Sequence, residues 1–94
     1  MNWDAYGPDD RIDDQGADYL YEQLAGILAA RIERGDWEPR RLIPSETHLC
    51  QEYAVARKTA RRAIGLLVER GLVEVKPQRG VFVKPADDQD KPAG

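Results

Sequence analysis

Cysteine occurs once, at Cys50, so no disulfide can form within this chain of 94 residues. Histidine also occurs once, at His48, and one Cys with one His cannot build a zinc site. No apolar run approaches the ~20 residues that a helix needs to span a bilayer. The first residues lack both a basic start and an apolar stretch, so no secretory leader is expected, and the cytoplasm is the expected compartment. No nucleophile–base pair, phosphate-cradling glycine loop or metal cluster is legible. An enzyme is therefore not expected, nor a cofactor or metal. Hydrophobic residues make up 41% and charged residues 33%, the balance of an ordinary soluble globular domain, and the length allows one domain.

The formal net charge is only −3, which argues at first sight against a polyanionic partner. Its distribution reverses that impression. Residues 1–18 hold Asp4, Asp9, Asp10, Asp13, Asp14 and Asp18 against Arg11, a net −5. Residues 85–94 hold Asp87, Asp88 and Asp90 against Lys91, a net −2, which leaves +4 on residues 19–84. Within that middle, residues 54–84 set Arg57, Lys58, Arg61, Arg62, Arg70, Lys76, Arg79 and Lys84 against Glu69 and Glu74, a net +6. Both acidic ends, 1–18 and 85–94, are polar and without apolar period, and the composition predicts disordered tails. Trp3 and Tyr6 are the residues able to dock the first of them on the domain.

Between the tails the pattern predicts three helices and a hairpin. Leu20, Leu24, Ile27, Leu28 and Ile32 recur at spacings of three and four, marking a first helix over about 19–34. Asp18 is its expected N-cap and Gly35 its stop. Leu42 and Ile43 suggest a short strand. Ser45 caps a second helix, Glu46 favours the positive end of its dipole, and Leu49, Cys50 and Tyr53 face inward. After a turn at 54–56, a third helix covers about 57–70. At ~100° per residue, Arg57, Lys58, Arg61, Arg62 and Gly65 share one arc. Thr59, Ala60, Ala63, Ile64, Leu66 and Leu67 fill the other. Gly71 ends this helix. Residues 72–76 and 81–83, with Phe82 expected in the core, read as strands joined by a turn at 77–80. The expected fold class is α+β, mainly α: a winged helix-turn-helix in which three helices precede a C-terminal β-hairpin wing.

Residues 21–83 resemble the DNA-binding domain of the GntR family of bacterial transcription regulators. Tyr21-Glu22-Gln23-Leu24-Ala25 opens the first helix, and Leu42-Ile43-Pro44-Ser45-Glu46 is close to the family's LPSE signature. Val55-Ala56-Arg57-Lys58-Thr59-Ala60-Arg61 resembles its VSRxTVR, followed by Gly71-Leu72-Val73 and Gly80-Val81-Phe82-Val83. Each piece is weak alone; the joint spacing is specific. Three positions where the family uses glycine carry Arg40, Ala54 and Gln78, and Ala56 stands where it uses Ser or Thr to cap the recognition helix, a cap whose loss costs ~1 kcal/mol. Family members carry a C-terminal effector-binding and dimerising domain, whereas about ten residues follow the wing here.

The resemblance implies a transcription regulator, more in keeping with a repressor, that binds a double-stranded DNA operator. A palindromic site and a homodimer on DNA are expected. The third helix, over 57–70, is expected in the major groove, with Arg57, Arg61 and Thr59 at base edges, since arginine's fork matches guanine O6 and N7. Lys58, Arg62 and Ser45 are expected at phosphates, the last with the second helix's N-terminal amides. Arg79 and Gly80 in the 77–80 turn are expected in the minor groove. Carboxylates at i+4 are missing from Arg57, Lys58, Arg61 and Arg62, which disfavours a merely salt-bridged helix face. The competing reading is a winged-helix adaptor that binds protein without DNA.

Overall fold

An apolar stripe through Leu24, Leu28 and Ile32 turns the first helix, α1 (Leu20–Arg34), onto the third, α3 (Arg57–Glu69). The computed structural model describes residues 3–85. The tail expected at 85–94 thus lies, after Pro85, outside the described residues. Between α1 and α3 comes α2 (Glu46–Tyr53); β1 (Val73–Lys76) and β2 (Gly80–Val83) follow as an antiparallel pair, with Val73 opposite Val83 and Lys76 opposite Gly80. Leu42 bridges to Phe82, so the short strand expected at 42–43 is one antiparallel bridge. Three helices with a two-stranded wing make the expected winged helix-turn-helix.

The core is the meeting of the predicted faces. Leu24, Leu28, Leu49 and Leu67 are fully buried, each contributing about 1.5–3 kcal/mol by area removed from water. Ala60 and Ala63 are also fully buried, and their small size lets α3 lie close to α1. Val73 and Val83 close the core from the wing's base, while Val75 is 53% exposed because the hairpin has by then left the helices. Phe82, expected in the core, is only half-buried along the hairpin.

Local backbone chemistry follows the sequence with one correction. Tyr19, not Asp18, occupies the N-cap of α1 and offers no side-chain bond. The Asp18 carboxylate instead accepts from the Tyr6 hydroxyl. Ala56 caps α3 without a side-chain bond, as its methyl dictates. Arg40, Ala54 and Gln78 hold φ of 68°, 55° and 67°, a left-handed conformation taken here without glycine. Each costs about 1–2 kcal/mol relative to glycine's freedom there.

The acidic N-terminal segment departs furthest from expectation. Residues 3–18 pack along α1 instead of trailing in solvent. Trp3, in a short 3-10 turn (Trp3–Ala5), lies 4.8 Å beneath the Arg70 guanidinium and against the core, as does Ile12. Tyr6 fills the notch left by Gly26, where a Cβ would stand 2.5 Å from Tyr6 Cδ2. Gln23, 3% exposed, is satisfied by this segment: its Oε1 accepts from Asp13 N at 2.8 Å, and its Nε2 donates to the Asp13 and Asp18 carbonyls at 2.9 Å. Asp9 pairs with Arg34 at 3.0 Å. Three apolar anchors and one buried amide order a strap whose composition alone reads as disordered.

Candidate nucleic-acid interface

Helix α3 presents Arg57, Lys58, Arg61 and Arg62 outward because Ala60, Ala63, Ile64 and Leu67 take its inner face. The N-terminal turn of α2 lies beside this row, held by the Ser45 cap, whose Oγ accepts from His48 N at 3.2 Å. The wing tip completes the surface. Leu42, Ser45, Glu46, Thr47, Arg57, Arg79 and Gly80 line one open cleft between α2, α3 and the hairpin. Three separate stretches of sequence thus converge on one face.

Each expected contact residue has a definite setting. Arg57 is exposed and donates from Nη2 to Thr47 Oγ1 at 3.1 Å. Arg61, its side chain 66% exposed, meets Glu46 with two bonds, Nε to Oε2 at 3.3 Å and Nη2 to Oε1 at 3.2 Å. Those bonds hold the guanidinium even more firmly in its charged form. Lys58 is exposed and has no ion pair among the described residues. Arg62 lies 4.0 Å over the Tyr21 ring, and Tyr21 in turn stacks on Tyr19 at 5.9 Å. Thr59 is half-buried at the edge of the row. Arg79 is exposed at the turn, where its amide donates to the Lys76 carbonyl at 2.9 Å. Gly80 has φ 124°, and a Cβ there would stand 2.5 Å from Leu42 Cδ2, so glycine is required by the backbone.

Carboxylates at i+4 are missing along α3, as expected, and the carboxylate partner comes from across the turn. Glu46 of α2 engages Arg61 from 15 positions away, a pairing that i+4 reasoning does not reach. The pair stands at the surface, its side chains 66% and 29% exposed. Thr47 and Tyr21 were not singled out by the sequence reading either, and both are now partners of the basic row. Chemically, the face combines fork-shaped donors, a helix N-terminus and a protruding turn, a set suited to a phosphodiester duplex.

The family model for bacterial regulatory proteins of the gntR family matches residues 20–83. The chain belongs to this family. This gntR-family chain is 42% identical over 65 residues to the uncharacterized HTH-type transcriptional regulator YurK of Bacillus subtilis, covering 69% of its own length and 27% of that protein. It is 37% identical over 65 residues to the mannosyl-D-glycerate transport/metabolism system repressor MngR of Escherichia coli, covering 69% of itself and again 27% of the relative. The chain thus spans about a quarter of the length of the curated relatives it matches. Among solved structures, the AraR DNA-binding domain in complex with operator ORE1 superposes with a TM-score of 0.69 at 34% identity, over 76% of this chain and 87% of that one. YtrA from Sulfolobus acidocaldarius, a GntR-family transcription factor, gives a TM-score of 0.72 at 28% identity, over 80% and 79%. The winged helix-turn-helix fold is common to this chain and these domains.

Proposed function

We propose that this gntR-family chain binds double-stranded DNA sequence-specifically and regulates transcription, as a repressor, from the cytoplasm. Helix α3 enters the major groove and the 77–80 turn the adjacent minor groove. The observation that carries the reading is the shared face: Arg57 and Arg61 stand exposed beside the capped N-terminus of α2, with Arg79 and Gly80 across one cleft. Arg57, Arg61 and Thr59 address base edges. Lys58, Arg62 and Ser45 meet phosphates. Gly80 lets the backbone approach the groove wall, with Arg79 inserted. Operator complexes of the similar AraR domain, and repressors among the relatives, support DNA over an adaptor role. A palindromic operator occupied by two copies fits helix-turn-helix geometry, in which half-sites lie one helical turn apart.

The test is binding to a duplex enriched by in vitro selection, followed by anisotropy across a salt series. Neutralising ~5 phosphates per protomer gives a log K against log salt slope of about −4 to −5. A slope near zero, or no enriched sequence, refutes the reading.

A further inference from the structure

A carboxylate in the middle of a phosphate-seeking surface needs an explanation. Glu46 sits in the first turn of α2 and costs the face a positive charge where Arg61 emerges. Its neighbour Thr47 is exposed and accepts from Arg57. Two successive residues of α2 therefore each hold one of the two arginines assigned to base edges. We infer that Glu46 and Thr47 are positioning residues, which pre-orient Arg61 and Arg57 for base reading and withhold them from phosphates. The inference rests on the DNA-binding reading above.

The donor geometry says what is left free. A guanidinium has five N–H donors in a planar fork. Glu46 takes the edge formed by Nε and Nη2 of Arg61. The opposite end, formed by Nη1 and the outer hydrogen of Nη2, remains for an acceptor pair such as guanine O6 and N7. Arg57 likewise keeps Nε and Nη1 free while Nη2 holds Thr47. A long side chain fixed before binding loses less rotamer freedom on binding. A fork clasped from behind also cannot swing to a neighbouring phosphate without breaking two bonds, so the penalty falls on sequence-independent contacts. The clasp thereby trades general affinity for discrimination.

Two substitutions separate this from a purely electrostatic role. Glu46→Gln removes the charge and one of the two clasping bonds, since an amide nitrogen cannot accept, so binding to random-sequence duplex rises while binding to the selected operator falls. The ratio of the two affinities drops about tenfold. Thr47→Val removes only an acceptor at constant charge. Operator affinity falls roughly threefold, with random-duplex affinity unchanged. Thr47→Ser restores it. In an Arg61→Ala background Glu46→Gln leaves the ratio unaltered, because the residue it acts through is gone. Glu46→Gln raising both affinities equally, or lowering the ratio as much without Arg61, overturns the inference. If Glu46→Gln does not fold, the Thr47 pair decides: an unchanged operator affinity for Thr47→Val overturns it. A wild-type protein that prefers no sequence overturns the DNA-binding reading itself, a distinct outcome visible before any variant is made.

Discussion

Replacing Gly26 by alanine should change sign according to whether Tyr6 is present. Gly26 is buried within α1, where alanine is favoured over glycine by about 1 kcal/mol through backbone entropy. Against that stands the Tyr6 ring: the added Cβ would meet Cδ2 at 2.5 Å, Cγ at 2.9 Å and Cβ at 3.1 Å. The nearest atoms belong to the root of the ring, so the whole residue must move and with it the strap. Overpacking of this kind costs about 1–3 kcal/mol. The net effect in the intact protein is thus a loss of up to about 2 kcal/mol. In a Tyr6→Ala background the ring is absent and the same change stabilises by up to about 1 kcal/mol. The coupling between the two sites is then about 1–3 kcal/mol, measured by urea denaturation of the wild type, both single variants and the double variant. Additivity within about 0.5 kcal/mol would refute the claim that the strap is docked on α1.

Other outcomes follow from the same geometry. Arg57→Ala should cost about 1–3 kcal/mol of selected-operator binding and much less on random duplex, read by anisotropy. Ser45→Ala removes the α2 cap, about 1 kcal/mol, lowering the melting temperature by about 4–8 °C in calorimetry or circular dichroism. Gly80→Ala forces an L residue to φ 124°, and should destabilise by about 1–3 kcal/mol in urea while weakening DNA binding. Hydrogen bonds from Arg34 and then Arg31 hold the Asp36 carboxyl well below its usual range. A depressed folded-state value means that this stabilisation is present above about pH 4 and is lost as pH falls further. The melting temperature should decline on acidification in that window, and Asp36→Asn should flatten the decline.

The helices and the hairpin were legible because their signals are local. Spacings of three and four mark the inner faces of α1 and α3, Ser45 marks the start of α2, and Gly71 and Gly80 mark turns. The joint motif spacing over 21–83 carried the family, which the match over residues 20–83 bears out. At the three positions where the family pattern has glycine, Arg40, Ala54 and Gln78 adopt the left-handed conformation themselves. Trp3 and Tyr6 were legible as residues able to dock the acidic segment, but its course and its third anchor, Ile12, were not, because the three follow no helical or strand period. Their partners lie on α1, and Gly26 and Gln23 look unremarkable until the segment is laid against them.

Composition and periodicity by themselves determined that the chain forms a small winged helix with its positive charge gathered on one helix and one turn. Which face each side chain takes is set by the 3.6-residue repeat, and that repeat is written in the order of residues. Only the tertiary structure decided that Glu46 meets Arg61, that Thr47 meets Arg57 and that the acidic N-terminus lies on α1. Those pairings join elements distant along the chain, and their existence depends on how the packed elements lie against one another, which no local pattern encodes.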